Sequence, residues 1–189
     1  MKKYILVLLI FTSVKASSQI SILQSDSSSG KIMFQGVCTV DSVSAKELFS
    51  RSKIWFAKTF NSSNDVIQNI DSENFIIIGK AKIRAHAQNF GERTWGYVKY
   101  SITIYCKDNR FKYVISDLYH EGDVIGTTST YTPSVGLLSI NTPEYGGFLS
   151  YRKKDLDKLC DELNDYVKQL VKSLKIDMNK KIETKSNEW

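Results

Sequence analysis

The sequence predicts an α+β domain: a single antiparallel sheet in the order β-α-β-β-β-β, then a long α-helix, with both helices on one face. Three observations carry this. Thr94 to Lys107 alternates along its whole length, with Val98, Tyr100, Ile102, Ile104 and Cys106 on one side and Trp95, Tyr97, Lys99, Ser101, Thr103 and Tyr105 on the other, the period of a half-buried strand. Asp108-Asn109 follows as a two-residue hairpin turn, since both residues tolerate positive φ. The register this sets places Lys107 opposite Arg110, Cys106 opposite Phe111, Ile104 opposite Tyr113 and Ile102 opposite Ile115, with Tyr105 facing Lys112 and Thr103 facing Val114 on the other side. A slip of one residue would scramble both the turn and the apolar face. Beyond Lys153, Leu156, Leu159, Cys160, Leu163, Tyr166, Val167, Leu170 and Leu174 recur at helical spacing, an apolar stripe that needs the sheet to cover it.

The remaining elements follow in order. Lys31 to Val40 alternates, with Ile32, Phe34, Cys38 and Val40 on one side and Gly36 between them, and reads as the first strand. Ser44-Ala45-Lys46-Glu47 is a capping box. Leu48, Ser52, Trp55 or Phe56, and Phe60 continue it as a helix from about Ala45 to Phe60. Asn61 to Asp65 is a polar turn, Val66 to Asp71 a short strand, and Phe75 to Ala87 a longer one. On that longer strand Ile77, Ala81, Ile83 and Ala85 take one face, and Lys80, Lys82, Arg84 and His86 the other. Residues 121–150 hold both prolines and little periodicity and read as an irregular segment, with Leu137 to Ile140 as a short edge strand. The organisation is thus a leader over 1–18, an α+β domain over 31–120, the irregular segment over 121–150 and a helix over 151–178 that packs on the same domain.

The chain has 189 residues, 42% of them hydrophobic and 24% charged, enough for one domain with its own core. Lys2 and Lys3 precede the apolar run Tyr4 to Phe11, and small residues follow at Val14-Lys15-Ala16 and Ala16-Ser17-Ser18. This is the pattern of a secretory signal peptide cleaved between Ala16 and Gln19. The apolar run is too short to span a bilayer, which takes about 20 residues, and no other stretch qualifies, so the mature chain carries no transmembrane segment. Loss of Lys2, Lys3 and Lys15 takes the formal +6 down by three, to +3. So mild a charge, in an exported chain, argues against a nucleic-acid partner. The expected location is the periplasm or the exterior.

Signatures of catalysis and metal binding do not emerge. Cys38, Cys106 and Cys160 form no C-x-x-C, and all three fall on inward faces. Should two of them pair in an oxidising compartment, Cys106 and Cys160 are the candidates. His86 and His120 have no His or Cys at metal-ligand spacing. No G-x-S-x-G, H-E-x-x-H or P-loop occurs. No cofactor, metal site or catalytic residue is assigned.

The order of elements resembles that of an uncharacterised family of exported Gram-negative bacterial domains described as having a TATA-binding-protein-like (TBP-like) fold. The resemblance rests on the signal peptide, Gly36 in the first strand, the helix from Glu47-Leu48-Phe49 to Trp55, Gly79 in the third strand, and the hairpin Lys107-Asp108-Asn109-Arg110-Phe111. That hairpin is similar to a lysine-aspartate-glycine-arginine-tyrosine turn common in the family, with Asn109 where glycine is usual. Coverage runs from Met33 to Tyr119. The resemblance implies the fold and no activity, because fold alone does not give function.

With the helices consuming one face of the sheet, the other is left for a partner. Lys80, Lys82, Arg84 and His86 lie on one of its strands, Trp95, Tyr97, Lys99 and Tyr105 on the next, and Lys112 on a third. Aromatic rings between cations suit an anionic ligand, a glycan or an envelope protein. The expectation is a non-enzymatic binding module. The alternatives are a hydrolase acting on envelope material, marked by a polar cleft joining His120 to the 121–150 segment, and a carrier holding an apolar ligand between the sheet and the last helix.

Overall fold

A computed structural model of the chain describes residues 24–26, 29–60, 62–87, 93–125, 130–142 and 153–180. The leader over 1–18 and its cleavage site lie outside these residues. The elements are β1 (Gln24–Ser25), β2 (Ile32–Thr39), α1 (Ala45–Thr59), α2 (Ser63–Val66), β3 (Ile67–Asp71), β4 (Ile76–Ala87), β5 (Arg93–Lys107), β6 (Arg110–Glu121), β7 (Val124–Ile125), β8 (Thr130–Tyr131), β9 (Gly136–Leu137) and α3 (Lys153–Asn179). One antiparallel sheet runs in the order β1-β2-β6-β5-β4-β3, with β9 also pairing with β6. The short β7 and β8 pair with each other in a separate two-stranded sheet.

The β5–β6 hairpin has the register the alternation predicts: Lys107 pairs with Arg110, Cys106 with Phe111, Ile104 with Tyr113 and Ile102 with Ile115. Of the two turn residues only Asn109 takes positive φ (63°). The turn does a second job. The Asp108 carboxylate accepts the N–H of Ala45 at 2.8 Å, and the Asn109 N–H donates to the carbonyl of Val43 at 2.8 Å. The N-terminus of α1 is therefore capped by Ser44, which accepts from the N–H of Glu47, and by a side chain from a distant hairpin. Glu47 does not complete a capping box; it turns instead to Arg51 at 3.0 Å.

Both helices pack on one face. Leu48, Trp55 and Phe56 of α1 and Leu159, Leu163, Val167, Val171 and Leu174 of α3 join Phe34, Ile77, Val98, Ile102, Ile104, Phe111, Tyr113 and Ile115 of the strands in one core. Two glycines make room for rings: a Cβ on Gly79 would lie 2.6 Å from the Phe56 ring, and one on Gly36 would lie 2.7 Å from the Tyr113 hydroxyl. The helices are tied together by Trp55 Nε1 donating to Ser173 Oγ (3.0 Å) and by buried Arg51 donating to the Met178 carbonyl (2.5 Å).

None of the three cysteines is in a disulfide; Cys38 and Cys106 are buried and Cys160 is half-buried. A bond between Cys106 and Cys160 does not form, because they sit at opposite ends of the helical layer. Cys106 lies beside Ser52. The neighbouring Arg51 holds Met178, 18 residues and about 27 Å along α3 from Cys160.

Candidate functional site

The face opposite the helices carries Lys80, Lys82 and Arg84 from β4, Tyr97, Lys99 and Tyr105 from β5, and Lys112 from β6. Register fixes their neighbours: Arg84 lies across from Tyr97, Lys82 from Lys99, and Tyr105 from Lys112. Tyr97 is the centre of a smaller group with Lys82, Arg84 and Lys99; Tyr105 and Lys112 lie about 27 Å farther along the sheet and are not brought to it. Lys82 Nζ sits 4.6 Å from the Tyr97 ring centroid and Arg84 Cζ 4.8 Å, while Arg84 also donates to the Tyr97 hydroxyl at 2.5 Å. Such cation–π contacts contribute about 0.5–1 kcal/mol each at exposed sites. Lys99 pairs with Glu121 at 2.7 Å, and Arg84 reaches Asp123 at 4.0 Å.

Trp95 does not belong to this face. It is 3% exposed and part of the core. Between the pairs His86–Thr94 and Arg84–Tyr97, Ala85 of β4 is opposed by two residues of β5, Trp95 and Gly96. Gly96 has φ of +81°, and a Cβ there would lie 1.9 Å from the Glu121 carbonyl. This is a β-bulge, and its extra residue turns the alternation over. Trp95 then donates from Nε1 to the Pro133 carbonyl at 3.2 Å and packs on His120, 4.5 Å between ring centroids. A glycine inside an alternating strand is the sequence mark of such a bulge.

His86 leaves the group as well. Its backbone N–H and its Nδ1 both meet Glu162 of α3, at 3.3 and 3.5 Å. Bulges sharpen local twist, and the end of β4 meets the helix here rather than standing beside Lys82. A second bulge, at Asp117 of β6 (φ 54°), lies between the pairs Ser101–Ser116 and Lys99–Tyr119 and shifts the inward set from Phe111, Tyr113 and Ile115 to Leu118 and His120.

His120 is fully buried. Nε2 contacts the Trp95 carbonyl at 2.5 Å and Nδ1 accepts the N–H of Val135 at 3.0 Å. The proton therefore sits on Nε2. Burial holds the imidazole below its usual pKa, against the opposing pull of the Trp95 carbonyl. Both ring nitrogens are committed to backbone, so the polar cleft expected of a hydrolase does not open from His120. Among the described residues no group of His, Cys, Asp and Glu is arranged to hold a metal ion.

Tyr100 and Tyr166 share a hydrogen bond of 2.7 Å, and burial raises the pKa of both hydroxyls. A cleft of about 630 Å³ is lined by Phe60, Asp65 and Val66, by Lys80, Ala81 and Lys82 of β4, by Lys99, Tyr100 and Ser101 of β5, and by Asp117 of β6. Alternation alone did not reveal it, because it forms where α2 leaves the line of β3.

A one-layer antiparallel sheet with both long helices on one side is the architecture of a TBP-like α+β domain. Residues 34–121 match DUF4468, a domain of unknown function with TBP-like fold, and the chain carries a domain of that family over this stretch. A crystal structure of a DUF4468 family protein from Bacteroides ovatus is similar at 12% identity and a TM-score of 0.59, covering 87% of this chain and 94% of that one. A TBP-like protein from Parabacteroides distasonis is similar at 18% identity and a TM-score of 0.60, covering 79% of this chain and 94% of that one. At these identities the likeness is one of fold. No curated protein matches the chain.

Proposed function

We propose that this is an exported, non-enzymatic binding module, periplasmic or secreted, whose sheet face opposite the helices docks an anionic partner. The observation that carries the reading is the direct pairing of Lys82 with Lys99 across β4 and β5. Like charges placed opposite each other on a sheet destabilise it, and nothing in the core requires lysine at either position. Tyr97 presents a ring beside them, held by Lys82 and Arg84, and an anionic ligand would meet this ring while competing with Glu121 for Lys99 and with Asp123 for Arg84. Export is supported by the basic start, short apolar run and small residues of the leader.

Titration with soluble poly-L-glutamate tests the reading. The protein binds it with an affinity that falls as salt rises, and the double variant Lys82→Ala, Lys99→Ala weakens binding by about tenfold, as expected for removing two cations from a charged contact. The variant Lys58→Ala on α1 leaves it unchanged. Equal weakening by the two variants would remove the sheet face from the account.

A further inference from the structure

We propose that the step in the sheet edge beside α2 accepts an extended acidic segment of a partner polypeptide as an added strand on β4; this rests on the anionic-partner reading and specifies the form of that partner. Pairing of β3 with β4 ends at Ile67 and Gly79. Were β3 longer, Val66 would come next, opposite Lys80. Instead Ser63–Val66 turn into α2 and leave the sheet. β4 runs on to Ala87, and beyond Gly79 its one strand neighbour among the described residues is β5. The far end of the exposed run is closed, since the N–H of His86 is given to Glu162. Lys80 to Ala85 remain, a run the length of an ordinary strand, about 5–6 residues. The 630 Å³ cleft takes in this step, with Phe60, Asp65 and Val66 on one part of its wall and Lys80, Ala81 and Lys82 on another, and runs on past Lys99, Tyr100 and Ser101 of β5 to Asp117 of β6.

An added strand would find backbone partners along this edge and two kinds of neighbour for its alternating side chains. Lys80, Lys82 and Arg84 are exposed on the open face and call for carboxylates. Ala81 and Ile83 are half-buried on the other side and call for small apolar groups. The same lysines oppose a second copy of the chain, because pairing edge to edge would set like charges together. The edge thus discriminates against itself and in favour of a strand that alternates acidic and apolar residues.

The test uses three probes with the purified, isotope-labelled protein: an end-capped heptapeptide alternating glutamate and valine, two versions of it N-methylated on one or the other set of alternate residues, and poly-L-glutamate. Strand addition predicts that the heptapeptide binds and slows amide exchange within Lys80 to Ala85. It also predicts that only one N-methylated version loses affinity, by about tenfold or more, since only one set of N–H groups pairs. Equal binding of both methylated versions overturns strand addition. So does binding of poly-L-glutamate without the heptapeptide; in either case the anionic-partner reading stands. Failure of every probe to bind overturns both.

Discussion

The imidazole of His120 contacts the backbone carbonyl of Trp95, 25 residues before it, while the two rings pack 4.5 Å apart. This pair closes one end of the sheet, and the segment from Thr130 to Thr142 is folded over it through Pro133 and Val135. A histidine held neutral there has a consequence for pH. Its folded pKa lies below the ordinary 6.5, so the unfolded chain binds the proton more readily. The stability it contributes is fully present above about pH 6.5 and is lost as pH falls from there toward the lowered folded value. Urea unfolding at pH 7.5 and 5.5 should show a smaller decline in His120→Gln than in the parent. Equal declines would mean that His120 does not carry the effect.

Trp95→Ala should act on the fold. Truncating a buried tryptophan costs about 3–5 kcal/mol, and the loss also releases the Pro133 carbonyl. Any anion affinity per folded molecule should be unchanged, because the ring faces the core. Circular dichroism with a binding titration on the folded fraction separates the two. A folded variant with weakened binding would return Trp95 to the partner surface.

Ile102→Ala and Ile104→Ala should each lower stability by about 2–5 kcal/mol without altering the open face. Both side chains are buried at the centre of the sheet. Chemical denaturation reads the loss, and a change below about 1 kcal/mol would place them outside the core.

Asp108→Ala tests the hairpin as a helix cap. The substitution removes the acceptor of the Ala45 N–H and should cost about 0.5–2 kcal/mol, the usual range for a lost N-cap. Asp108→Asn, which keeps an acceptor oxygen, should recover most of it. If both variants match the parent, the cap is dispensable.

The thiols should label in a fixed order. Burial pushes the Cys106 thiol up to about 11 and also raises half-buried Cys160, helped there by Asp157 and Asp161. Alkylation at pH 8 should reach Cys160 first and leave Cys38 and Cys106 protected until the protein unfolds. Rapid modification of Cys106 in the native state would contradict its place in the core.

The sheet centre was legible in the sequence because two independent signals agree there. Alternation from Val98 to Cys106 and the turn chemistry of Asp108-Asn109 specify one register, and that register is observed. The strand ends were less legible because alternation carries no information about an inserted residue. At Gly96 the insertion moved Trp95 from the open face to the core, and at Asp117 it brought His120 inward. Gly96 announces its bulge; Asp117, an aspartate held at positive φ, gives a weaker signal. Of the candidate residues, Lys82, Arg84 and Lys99 gather around Tyr97, while local geometry removes Trp95 and His86, and Tyr105 and Lys112 lie farther along the strands. The group's carboxylates, Glu121 and Asp123, come from beyond the last alternating stretch. The cleft depends on where a helical turn interrupts a strand line, which periodicity does not encode.

Recognition by the sheet face opposite the helices is open to direct measurement. Amide chemical shifts of the isotope-labelled protein, followed during titration with poly-L-glutamate, test it most directly. The expected result is perturbation of amides at residues 80–84, 97–101 and 112, with α1 and α3 unmoved. Perturbations confined to the exposed sides of α1 and α3, with residues 80–84 and 97–101 unchanged, would contradict it.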